Sequence, residues 1–365
     1  MILLLIINLL GCQTATPDAD QTEQEVRSDT QLVLNNAILE QSNKQENTVW
    51  KIKADNIVYS EDNQTAVLDQ VVGNLWQNGA VILKISAKTG EIIDNGNIIF
   101  LNREVILNDP RNGSVINSDA VEWRPQENLL LIKEKVTGNH PNLKLTAESG
   151  TYLTDVEQLE IQGNVIATTK QPSLQLTSDR LKWNIAQNLV ESPEAIKLVR
   201  FGKDQTITEK LVSDRAKVDL VDRTATLNHN VELVTADPQL QIASDLFVWN
   251  YQQRVGISEQ PIQILDRDRQ ISLTGNKGEI DLQQQLAKLQ DGVKGINRQK
   301  DSQLYARQLT WKIDREEVEA TGNVIYQQLD PKARLTGEKA VGTLSNNNIV
   351  VTSEGKEQVT TVIDN

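Results

Sequence analysis

One cysteine, one methionine and two histidines are all that 365 residues offer for thiol, thioether or imidazole chemistry. Cys12 has no second cysteine to pair with, so no disulfide framework holds the body. Two histidines and one cysteine cannot supply cysteine–histidine zinc spacing, and neither metal nor cofactor is expected. His229 stands where sister segments carry glycine, which makes it a variant of a turn-like position, and His140 precedes Pro141 in a loop. No phosphate-cradling loop, dinucleotide fingerprint or nucleophile elbow occurs, so no catalytic residue is expected and the chain does not read as an enzyme. A basic excess is missing too. The net charge of -13, with no basic stripe, argues against nucleic acid and against a basic patch for anionic membranes. Aromatics make up only 4%, which gives weight to where they fall.

The chain has one markedly apolar run, at its start. It runs from Met1 to Leu10 and is too short to span a bilayer, so it reads as the apolar region of a signal peptide. Leu9-Leu10-Gly11-Cys12 resembles the lipobox of bacterial lipoproteins, which implies acylation of Cys12 and assigns residues 1–12 to a leader or short membrane anchor. Residues 13–30 are polar and acidic, with Asp18, Asp20, Glu23 and Glu25, and read as a flexible tether.

What the rest of the chain has is repetition. Segments ending in Trp123, Trp183, Trp249 and Trp311 share the line Ala/Ser-Asp-x-x-x-Trp, with Arg307 in the Asp place of the last. Half-copies without tryptophan lie between them. The equivalent positions are 88, 119, 148, 179, 214, 245, 276, 307 and 338, nearly all 31 residues apart, the mark of a stacked repeat array. Apolar residues alternate on each side of the Asp, as in a half-buried strand. The parity slips there, with Leu240, Ile242 and Ser244 before it and Phe247 and Trp249 after it. A slip that keeps apolar residues on one face needs a bulge or corner. About 15 residues on, a second cue reads Gly163-Asn-Val165, His229-Asn-Val231 or Gly322-Asn-Val324. The expectation is an all-β, elongated, repeat-built antiparallel jelly roll, open and V-shaped in section. It comprises about ten half-repeats of ~31 residues, roughly three strands each, in one continuous body over residues 31–363. The recurring Asp119, Asp179, Asp214 and Asp245 are replaced by Asn, Arg or Glu in sister segments, which points to corner hydrogen bonding rather than a ligand row.

The Ala/Ser-Asp-x-x-x-Trp/Tyr line followed by a Gly-Asn-Val strand resembles the OstA-like superfamily, which includes LptA, LptC and the N-terminal domain of LptD. The stretch Leu145 to Tyr152 followed by Leu159 to Val165 is most similar to its pattern, and the resemblance spans about residues 48–345. It implies a non-enzymatic carrier of lipopolysaccharide in the periplasm, with the lipid A acyl chains inside an apolar groove. An anchored N-terminus with such a body is most like LptC. That implies as partners the inner-membrane ABC transporter subunits LptB, LptF and LptG, and LptA-like or LptD N-terminal jelly rolls joined end to end by strand addition. It also implies a periplasmic body tethered by its N-terminus, with the inner membrane favoured. The body is about twice the length of a compact LptC, which keeps an LptA-like bridging role open. By parity, the groove would be lined by Trp123, Tyr152, Leu181, Trp183, Phe247, Trp249, Leu309 and Trp311. The alternatives are a structural or adhesive β-solenoid lipoprotein with a closed core, in which the tryptophans merely pack, and an enzyme on a β-helix, for which no clustered catalytic row is found.

Overall fold

The computed structural model describes residues 31–43, 48–141, 143–330, 332–343, 348–353 and 360–362. Cys12, the leader and the acidic tether lie outside these residues. Every described element is a β-strand except two single turns of 3-10 helix, Asp94–Gly96 and Pro125–Glu127. Twenty-six strands pair antiparallel in one sheet that runs from Val33–Asn43 to Thr360–Val362.

The rungs of this sheet are long. Strand Thr224–Thr235 pairs with Leu240–Asn250 on both sides of an irregularity between Asn228 and Val231. The chain bends at that point but hydrogen bonding continues beyond it, so each rung is one strand folded into two arms. Where a rung is fully broken, the two pieces still pair with the same neighbour. Leu189–Ser192 and Ile196–Phe201 both lie against Ser173–Asn184, either side of Pro193, which cannot donate to the ladder. Val255–Ser258 and Ile262–Asp266 do the same around Pro261. Joining the five broken pairs leaves twenty-one rungs. At about 4.8 Å per rung the roll extends roughly 100 Å. Each 31-residue period therefore holds two bent rungs rather than the roughly three strands expected, because the corner bends a strand without ending it.

Local chemistry explains the corners. On alternate rungs two successive residues take the left-handed conformation: Arg103 and Glu104, Glu134 and Lys135, Gly163 and Asn164, His229 and Asn230, Asp291 and Gly292, Gly322 and Asn323. Glycine and asparagine adopt this region at the lowest cost, which accounts for the Gly-Asn-Val cue. The recurring acidic position of the preceding or following rung bonds to this corner. Asp214 accepts from Asn230 at 2.7 Å, Asp119 from Lys135 at 3.0 Å, and Asp245 lies 3.3 Å from His229 Nδ1. Inside the corner, serine hydroxyls bond the carbonyls that the bulge leaves unpaired. Ser178 and Ser192 are 2.9 Å apart, as are Ser244 and Ser258, and Ser258 donates to the Gln260 carbonyl at 2.8 Å. Buried polar groups need such partners.

The parity slip places apolar residues of both arms on the inside. In Leu240–Asn250 the buried residues are Leu240 and Ile242 before the corner and Phe247 and Trp249 after it. The interior gathers into two apolar clusters, one from Trp50 to Leu181 and one from Ile196 to Val351.

Candidate functional site: the apolar interior and its seam

Each rung ends in two turns, one per arm, and these turns form two rows along the roll. The first row contains residues 125–128, 154–157, 185–188, 220–223, 251–254, 282–285 and 313–316; the second contains 110–113, 202–206, 236–239, 267–270 and 298–301. Within a row, a carbonyl of one turn accepts the N–H of a turn two rungs on, as in Leu220 to Asn188 at 3.0 Å and Tyr251 to Arg223 at 3.2 Å. The corner side of the roll is closed by continuous backbone. The opposite side is a seam between the two rows, closed by side chains.

Among the described residues, three arginine clusters bridge that seam. Arg111, on the second row, holds Asp109 at 2.7 Å and reaches Glu157 on the first row at 2.6 Å. Arg269 holds Asp266 at 2.7 Å and Glu316 across the seam at 2.6 Å. In the middle, Arg254 of the first row bonds Glu209 of the second at 2.5 Å, while Arg200 bonds Glu209 at 2.9 Å and donates to the Tyr251 carbonyl opposite. The partners across the seam are 46, 45 and 47 residues apart in sequence, a constant stagger. A fourth contact is apolar: the turn at Gly96 lies over the Trp50 ring, whose indole N–H donates to Gln41 at 3.1 Å.

Charge and burial follow from this geometry. Asp109, Glu209 and Asp266 have inward parity yet are 7%, 2% and 2% exposed. Removing carboxylates from water is unfavourable unless they are paired, and each carries at least one guanidinium. The Asp109 bond, against the opposing effect of burial, raises the Arg111 guanidinium further above its usual range, with Glu157 adding to it. Burial works against the charge of Arg269, and the Asp266 and Glu316 bonds outweigh it. Tyr152, just inside the first clasp, is pushed up to about 12, chiefly by burial, with the Arg111 charge pulling the other way.

Of the eight residues proposed from parity, Trp123, Tyr152, Leu181, Phe247, Trp249, Leu309 and Trp311 are buried, and Trp183 is half-buried. Trp50 and Trp123 meet edge to face at 5.7 Å, and Phe247 stacks on Trp249 at 6.0 Å. They occupy different lengths of the roll rather than one spot. A small cavity of about 50 Å³ opens near the C-terminal end, among Leu273, Leu304, Leu309, Ala320, Tyr326 and Ile349. The clasps were not anticipated, although Arg200 and Glu209 sit at positions where the alternation asks for apolar residues: their cross-strand neighbours on that face include Leu174 and Thr235.

Among the described residues no cluster of His, Cys, Asp and Glu could hold a metal ion, and no helix is long and apolar enough to cross a membrane. No curated protein matches the chain. A family model described as lipopolysaccharide-assembly, LptC-related, matches residues 1–143 and 194–298. The first stretch covers most of the first apolar cluster and the second begins at the start of the other. With more than half of its length matched and an all-β roll of the expected kind, the chain belongs to the LptC-related family of lipopolysaccharide-assembly proteins.

Proposed function

We propose that this chain is a non-enzymatic periplasmic component of lipopolysaccharide export that takes lipid A acyl chains into the roll and passes them from an inner-membrane ABC transporter toward the outer membrane. The observation that carries the reading is the interior itself: two arms of every rung turn apolar side chains toward each other, and only side chains close the seam opposite the corners. Each buried CH₂ contributes about 0.8 kcal/mol, so a 14-carbon chain gains roughly 10 kcal/mol on leaving water. Near-identical rungs offer similar affinity along the roll, which favours sliding over trapping. Trp123, Tyr152, Leu181, Trp183, Phe247, Trp249, Leu309 and Trp311 are the proposed lining, Cys12 the proposed lipidation site, and residues 31–363 one continuous conduit. The transporter subunits LptB, LptF and LptG and end-to-end LptA-like or LptD N-terminal rolls are the proposed partners. A photo-crosslinking amino acid at position 181 in cells should capture lipopolysaccharide, and one at the outward-facing position 182 should not. Equal capture, or none, contradicts the reading.

A second reading, a structural β-solenoid with a closed core, is favoured by one observation: Trp123, Trp249 and Trp311 are 1%, 1% and 0% exposed.

A further inference from the structure

The three clasps are unequal in charge. Arg111 faces two carboxylates, Asp109 and Glu157, and so does Arg269, with Asp266 and Glu316. The middle clasp is reversed: two guanidiniums share the single Glu209 carboxylate, which leaves it one charge positive. Arg254 uses only its Nε there, and its two terminal nitrogens have no hydrogen-bond partner among the described residues. The Arg254 side chain is 26% exposed, which leaves it open to an incoming anion.

The packing is unequal in the same place. Between the first and middle clasps several interior side chains are only half-buried, Leu145, Leu176, Trp183, Ile185 and Val190, beside the buried Val165, Leu174 and Leu181. The two apolar clusters meet here. The indole N–H of Trp183 is buried without an acceptor, a costly state unless something supplies one. The turn at 220–223 on this stretch carries exposed apolar side chains, Leu220 at 40% and Val221 at 67%.

We propose that the seam between these two clasps is the seat of a phosphorylated amphiphile, with its acyl chain let in over Trp183 and its phosphate held by Arg254 and Arg200. Trp183 lies four rungs from the Arg254 turn along the same row, roughly 20 Å, which a long acyl chain can cover. Planar guanidiniums suit a phosphate bidentately, and an anion there balances the clasp in which two guanidiniums share one carboxylate. The inference rests on the reading of the roll as a lipid conduit and adds where, and by which head-group chemistry, the lipid is held.

The test is calorimetric titration of the full chain with dodecyl phosphate, dodecyl maltoside and inorganic phosphate, all below micelle formation. Dodecyl phosphate should bind at least about tenfold more tightly than the maltoside, the worth of one or two charge-assisted bonds. Arg254→Gln should abolish that preference, Arg254→Lys should keep part of it, and Arg269→Gln at a clasp of opposite balance should leave it intact. Equal binding of the two amphiphiles by the unaltered protein, an unchanged preference in Arg254→Gln, or inorganic phosphate binding as tightly as dodecyl phosphate would each overturn the seat. Binding of neither amphiphile would remove the conduit reading along with it.

Discussion

Arg254 Nε lies 2.5 Å from Glu209 Oε1, although the two residues are 45 positions apart and belong to opposite rows of turns. The carboxylate is 2% exposed and also receives Arg200. One buried side chain thus ties two arms that share no backbone hydrogen bonds at this point.

Glu209→Gln leaves two guanidiniums facing each other with no counter-charge. Breaking a buried pair from one side typically costs about 3–5 kcal/mol, and we expect a loss of that order in denaturant unfolding. A change below about 1 kcal/mol would mean that the clasp is too solvated to hold the seam.

The two central tryptophans should separate stability from capture. Trp249 is 1% exposed and stacks on Phe247, so Trp249→Ala should cost about 3–5 kcal/mol as a core truncation. Trp183 is half-buried, and its N–H gains nothing from the fold. Trp183→Ser should leave the melting temperature within a few degrees yet weaken binding of a fluorescent acyl probe. Unfolding without any effect on capture by the folded fraction would favour the closed core.

Gly256 marks the tightest packing around the aromatic pair. A Cβ built there would sit 2.0 Å from Phe247 Cζ, so Gly256→Ala has to displace the ring. Overpacking of this kind costs about 1–3 kcal/mol or more. Combining it with Phe247→Leu should cost less than the sum of the two single changes, since the residues touch. Additivity in a double-mutant cycle would show that the ring is free to move away.

Tyr152 provides a pH signature. Its phenol is about 12 in the folded chain against 10.0 for the free side chain, chiefly through burial. The fold therefore favours the neutral form. The unfolded chain ionises first, so stability falls as pH rises from about 10 and levels off above about 12, by up to roughly 2–3 kcal/mol. Tyr152→Phe should flatten this alkaline limb, and an identical limb in the variant would assign it to other groups.

How far the sequence discloses this structure depends on the range of each signal. The 31-residue step and the parity slip at Asp245 are local, and they lead to the rungs, the corners and the inward face of Phe247 and Trp249. The Gly-Asn-Val cue is equally local, since Gly322 and Asn323 take two left-handed positions in succession at low cost, although Arg103-Glu104 and Glu134-Lys135 fill the same corner without glycine or asparagine. The number of rungs per period was less legible, because a strand continues through a bulge and its neighbours, not its own residues, decide that. The clasps were least legible. Arg200, Glu209 and Arg254 come together through the stagger of the roll, which has no sequence period of its own. Their one local trace is charge on the inward parity of Arg200 and Glu209.

The most direct test of the central claim is mass spectrometry of organic extracts from the chain purified out of a diderm host. We expect a lipid A–type amphiphile at close to one per folded chain. A fully folded protein that carries no lipid would contradict the conduit and leave the interior as packed core.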